Sequence, residues 1–137
     1  MSEMNIVDIL LGMDAGTLKE VPTSELKAKK LSKATGADVK VKVRALTGKR
    51  ITDLTMTAVG KDGSVDYGKT YDTNLLIAVD GVVSPNLKDR QLQEHFGAAT
   101  PKDLAEILFY PGELVAIANE VRALSGYDKE SDDEIKN

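Results

Sequence analysis

The sequence predicts an α+β fold, a mainly helical single domain with a β-hairpin near its N-terminal third. Three observations carry this expectation. Residues Asp38 to Leu46 alternate apolar and charged side chains, the period of a half-buried strand. Three well-punctuated helical stretches follow one another between Pro85 and Gly126. A chain of 137 residues without cysteine suits one core, because a domain takes about 100 to 200 residues and holds together at this size without disulfides or thiolate metal sites. Residues 1–22 read as an N-terminal apolar helix and linker, 23–127 as the globular α+β domain, and 128–137 as a flexible acidic tail.

Asn5 suits the N-cap of a short helix with Asp8 in its first turn, and Ile6, Val7, Ile9, Leu10 and Leu11 make that helix apolar over most of its surface. Such a segment is expected to be covered. Gly12 and Gly16 loosen the chain, and Pro22 starts a new element. The strand of Asp38 to Leu46 places Val39, Val41, Val43 and Ala45 on one face and Lys40, Lys42 and Arg44 on the other. With Leu26 to Leu31 as its partner it makes a hairpin around Gly36, both of whose polar faces are basic.

Thr47 caps a helix carrying Ile51, Leu54 and Ala58 on one side and ending at Gly60. Lys61 to Lys69 is expected to be an exposed loop. Leu75 to Val79 is apolar throughout, and its flanking Asp72, Thr73 and Gly81 favour helix over strand. A further helix runs from Pro85 or Leu87 to Phe96, with Leu87, Leu92 and Phe96 inward and Gly97 as its stop. Thr100-Pro101-Lys102-Asp103 opens the next, with Leu104, Ile107 and Leu108 as its buried stripe. The last starts at Pro111-Gly112-Glu113, turns Leu114, Ile117, Ala118, Val121 and Leu124 inward, and stops at Gly126.

The formal charge of -4 argues against general nucleic-acid binding, and the basic stretch Lys27, Lys29, Lys30, Lys33, Lys40, Lys42 and Arg44 lacks interleaved aromatics, so it reads as solvated faces. No membrane partner is expected, since the apolar run Ile6 to Leu11 falls short of the roughly 20 residues of a span and no signal peptide precedes it. The protein is expected in the cytoplasm. Catalysis has nothing to rest on: His95 is the sole histidine, Gly60, Gly63 and Gly68 lack the Lys-Ser/Thr of a phosphate loop, and Glu113 and Glu120 have no opposing acid or base. Asp132, Asp133 and Glu134 lack the spacing of a calcium loop. No catalytic residue, metal or cofactor is expected.

Family resemblance is carried by Pro85-Asn86-Leu87-Lys88-Asp89, Phe96-Gly97, Thr100-Pro101, Phe109-Tyr110-Pro111-Gly112-Glu113 and Leu124-Ser125-Gly126-Tyr127, with Val43-Arg44-Ala45-Leu46-Thr47 upstream and Glu134-Ile135-Lys136-Asn137 at the close. In their order and spacing these resemble the XkdN-like tail assembly chaperones of phages and prophages of Gram-positive bacteria. The resemblance implies a non-structural, non-enzymatic protein that binds the tape measure protein, keeps it soluble and helps recruit tail tube subunits around it. A long chain with apolar helical stripes aggregates until it is enclosed, and a small partner can cover such a stripe through contacts at i, i+3, i+4 and i+7.

The candidate contacts are Ile6, Ile9 and Leu10 of the first helix and Phe109, Leu114 and Ile117 near the last, although apolar residues at helical spacing also serve as core. Two alternatives stay open, a structural tail component, which would carry more strand, and a small nucleic-acid regulator using the Lys27 to Arg44 face. Oligomeric state is open as well. Related chaperones are often made in two lengths by a ribosomal slip, and Ile135-Lys136-Asn137 permits a slippery codon run as readily as it permits an ordinary polar terminus.

Overall fold

A computed structural model describes residues 5–127. Among them are seven α-helices and one three-stranded antiparallel sheet of order β1-β2-β3. The elements are α1 (Ile6–Leu11), β1 (Thr23–Lys27), α2 (Lys29–Thr35), β2 (Lys40–Arg44), α3 (Gly48–Met56), α4 (Thr70–Gly81), β3 (Val82–Ser84), α5 (Arg90–Phe96), α6 (Pro101–Leu108) and α7 (Pro111–Leu124). The fold is the expected mainly helical α+β single domain.

The alternation of β2 is realised directly, for Val41 and Val43 are buried while Lys40, Lys42 and Arg44 are exposed. Its partner differs from the expected tight hairpin. β1 pairs with β2 in the register Thr23↔Arg44 to Lys27↔Lys40, and the chain between them forms α2 instead of turning directly. The stretch from Leu26 to Leu31 is thus split between strand and helix. Gly36, at φ 73°, caps α2 in the left-handed conformation, and Ser32 closes the return by accepting from the Val39 amide and donating to its carbonyl. Glu25 stands opposite Lys42, so the exposed face of β1 is not uniformly basic.

Thr47 accepts from the Arg50 amide and starts α3 as expected, with Ile51 and Leu54 buried. The helix stops at Met56, before Gly60, where the Thr55 and Thr57 hydroxyls bond back to the carbonyls of Ile51 and Leu54. Gly60 instead opens a turn in which its amide donates to Ser64. Residues 61–69 are exposed throughout and include one 3-10 turn, Tyr67–Lys69.

The apolar run of 75–79 lies in α4, the innermost helix, which packs against α3, α6 and α7. Contact on several sides explains why its apolar residues show no single stripe. Gly81 ends the helix against Val121 of α7, where no larger residue fits. β3 then adds to β2 by pairing Val82 with Val43, a three-residue strand with no periodicity long enough to announce it.

The following helix starts later than Pro85 or Leu87. Asp89 accepts from the Leu92 amide and defines the N-cap, while residues 85–88 are held as a turn by Gln93 Nε2 donating to the Leu87 carbonyl. Leu87 is buried and Leu92 half-buried, but Phe96 is exposed, its ring meeting His95 edge-on. In α6, Thr100 and Pro101 cap as expected, yet Ala105 takes the buried place beside Leu104 and Leu108, leaving Ile107 exposed. α7 buries Leu114, Ile117, Ala118 and Val121 with Leu124 half-buried, and Gly126 at φ 93° ends it. One core joins the inner face of the sheet to α4, α6 and α7.

Candidate partner-binding surface

The expected contact residues fall into two groups. Ile6, Ile9 and Leu10 are exposed, as are Val7 and Leu11, and no residue of α1 is buried. The expectation that this apolar helix is covered therefore fails within the chain itself. Among the described residues the hydrogen bonds of the helix are local: the Asn5 side chain accepts from the Val7 amide at 3.0 Å, and Gly12 ends it. A six-residue helix is too short to persist in water on such bonds, so its apolar surface is available to whatever can stabilise it.

Phe109, Leu114 and Ile117 lie at 1%, 1% and 2% exposure. They are core. Phe109 fills the corner between α6 and α7, and Leu114 and Ile117 face inward from α7, because the turn at Tyr110-Pro111 directs that stripe at the sheet and α4. Contact with a partner through Phe109 or Leu114 would require the core to open, while Ile117 reaches the floor of an open groove.

Glu113 has the most connected carboxylate in the domain. It accepts from the amides of Tyr110 at 3.0 Å, Lys29 at 2.6 Å and Lys30 at 3.2 Å, capping the N-termini of α7 and α2 together. Each of these amides lacks an intrahelical partner, and a carboxylate there also complements both helix dipoles. Lys30 Nζ sits 5.6 Å from the Tyr110 ring centroid and reinforces the same junction.

At the other end of α7, the Tyr127 amide donates to the Arg122 carbonyl beyond Gly126, and the Tyr127 ring stays exposed with its hydroxyl beside Gly48. Ser125 accepts from the Leu46 amide and so ties this end to the residue after β2. Pro85 follows a cis peptide bond after β3. The residues Pro85, Phe109, Pro111, Gly112, Glu113, Gly126 and Tyr127 are thus mainly corners and caps.

Between β1 and α7 lies an apolar groove of about 240 Å³, lined by Leu26, Lys27, Lys29, Val41, Gly112, Glu113, Ala116 and Ile117. The sequence offered one sign of it. Gly112 and Ala116, four residues apart on one face of α7, leave that face without bulk. A wider depression of about 630 Å³ adjoins the groove and shares Lys27 and Lys29, adding Ser32, Lys33, Gly36, Ala37 and Asp38.

Elsewhere the polar groups support the fold. Arg50 pairs with Asp80, whose hydrogen bond and charge raise the guanidinium pKa further, and Arg44 donates to the Asp80 carbonyl. Partial burial lowers the pKa of Arg122, which donates to Asn74 at 2.8 Å. Burial, then the neighbouring Glu106 carboxylate, raises that of Tyr71. Among the described residues no group of three or more His, Asp or Glu is placed to hold a metal ion, and no helix is long and apolar enough to cross a membrane. The residues of the expected acidic tail and slippery terminus lie outside those described.

Fold and surface together define a small, mainly helical α+β domain that leaves an apolar helix outside its core. A family profile described as phage XkdN-like tail assembly chaperone protein matches residues 7–137, and the chain belongs to that family. It is accordingly a phage tail assembly chaperone, a role distinct from catalysis. A crystal structure of the protein YqbN shares the fold at a TM-score of 0.54 and 23% identity, covering 80% of this chain and 90% of that one. No curated protein matches the chain.

Proposed function

We propose that this chaperone acts in the host cytoplasm as a non-structural protein that binds the tape measure protein, keeps it soluble and helps bring tail tube subunits to it. The observation that carries this is α1, a helix with five large apolar side chains and none buried, in a member of a tail assembly chaperone family. A contiguous apolar surface outside a core marks a site of contact with another chain. The tape measure protein supplies complementary stripes, and a helix that folds fully only when covered makes a contact of modest strength that can be reversed when the tube takes over.

Co-expression tests the proposal. With the chaperone, an otherwise insoluble tape measure protein moves to the soluble fraction and co-purifies, and the triple change Ile6→Asp, Ile9→Asp, Leu10→Asp removes the rescue while the domain still melts cooperatively. A tape measure protein that stays insoluble with the wild-type chain, or a triple variant that rescues fully, counts against it. Purified virions lacking the chaperone separate this role from that of a structural tail component.

A further inference from the structure

The apolar groove and the lysine-bearing depression share Lys27 and Lys29 and so form one continuous surface. At about 240 Å³ the groove is smaller than the roughly 300 to 1,000 Å³ of small-molecule sites, a size suited to the apolar anchors of one docked segment. Its charge is mainly positive. Lys27, Lys29 and Lys33 are exposed, and among the described residues the one ion pair is Arg50 with Asp80, far from them in sequence and on other elements. Glu113, the carboxylate in the groove lining, is turned onto three backbone amides at the N-termini of α7 and α2, whose dipoles offset its charge. Asp38 is the single acid of the wider depression.

We propose that this surface takes an amphipathic helix of a partner protein whose apolar stripe is flanked by aspartate and glutamate, the anchors entering between Leu26 and Ala116 and the acids lying over Lys27, Lys29 and Lys33. It rests on the tape measure reading for the partner's identity, and adds a second contact beside α1 and which of the partner's segments are chosen there. Charge of one sign beside an apolar slot selects among helices and speeds encounter more than it deepens affinity. That division suits a client with many similar stripes.

Fluorescence anisotropy with two labelled synthetic peptides tests the proposal. Both carry leucine at i, i+3, i+4 and i+7, one flanked by glutamates and the other by lysines. The glutamate peptide is expected to bind about tenfold tighter at low salt, Ala116→Glu to weaken it about tenfold, and Lys27→Glu with Lys33→Glu to reverse the preference. All three positions are exposed, so melting of these variants should match wild type, and should Ala116→Glu unfold, the charge reversal decides alone. Equal binding of the two peptides, or wild-type binding by the variants, overturns the proposal. So does a concentration-dependent dimer dispersed by Ala116→Glu, which would make the groove a contact between copies. If Ala116→Glu still solubilises the tape measure protein fully, the groove is wrong and the tape measure reading stands; if wild type fails to solubilise it, that reading falls and the peptide titration still decides the groove.

Discussion

Gly81 of α4 lies so close to Val121 of α7 that a Cβ built on the glycine would stand 2.3 Å from the valine Cγ2. The two helices meet there with no room for a methyl group. Val121 is fully buried and β-branched, so it can neither swing away nor move outward. An alanine in a helix is worth about 1 kcal/mol over glycine, but overpacking a filled core costs about 1 to 3 kcal/mol, and at this distance the second term wins. Gly81→Ala is expected to lower stability in urea denaturation, and Val121→Ala in the same chain to recover part of the loss. Additive losses in the double variant would refute a direct clash.

Removing the Glu113 carboxylate unsatisfies two helix starts. Glu113→Ala should destabilise the domain by about 1 to 3 kcal/mol, the scale for hydrogen bonds to a charged group at partly buried sites. Glu113→Gln keeps one acceptor oxygen and should lose less. Hydrogen exchange offers a sharper reading, with faster exchange expected at the Lys29 and Lys30 amides as well as at Tyr110. Protection unchanged at Lys29 and Lys30 would show that α2 does not depend on this contact.

The contact candidates should separate by thermodynamics alone. Phe109→Ala and Ile117→Ala open cavities in a packed core, at about 3 to 5 and 2 to 5 kcal/mol respectively. Ile9→Ala, on a helix with no buried residue, should stay within about 0.5 kcal/mol of wild type. A large loss for Ile9→Ala would mean that α1 is covered in the protein in solution.

Truncation extends that test to the whole segment. A chain beginning at Glu20 keeps the Pro22 carbonyl, which accepts from the Ala45 amide beside the β1–β2 pair, and among the described residues loses only exposed or half-exposed ones. Its urea midpoint is expected to equal that of the full chain, while solubilisation of the tape measure protein is lost. A markedly lower midpoint would place α1 in the fold.

Elements whose signals are local were legible in the sequence. Thr47, Thr100 and Gly126 sit where caps belong, and the alternation of Val41 and Val43 against Lys40, Lys42 and Arg44 survives as β2 because one face is buried and the other wet. Elements set by distant partners were not. Lys29 and Lys30 continue β1 by local pattern, but Glu113, more than eighty residues away, captures their amides and favours a helix. β3 exists through Val43, and α5 starts only after its cap Asp89 because Leu87 is held in a separate turn. At the site, the exposure of Ile6, Ile9 and Leu10 could not be read from spacing, since an apolar stripe looks the same covered or bare, and the groove at Ala116 left only the trace of two small residues one turn apart.

The pairing of β3 with β2 has a kinetic side. Residues 45–81, including all of α3 and α4, lie between the two strands, so the sheet's second ladder is a distant contact that forms against the entropy of closing that loop. The β1–β2 ladder spans only α2 and is local by comparison. During synthesis the first ladder and α2 can assemble early, yet Glu113, which caps α2, emerges only after α3 to α6. The domain therefore gains its last stabilising contacts only once α7 has left the ribosome, and a nascent chain shorter than that exposes the valines of β2 to its surroundings.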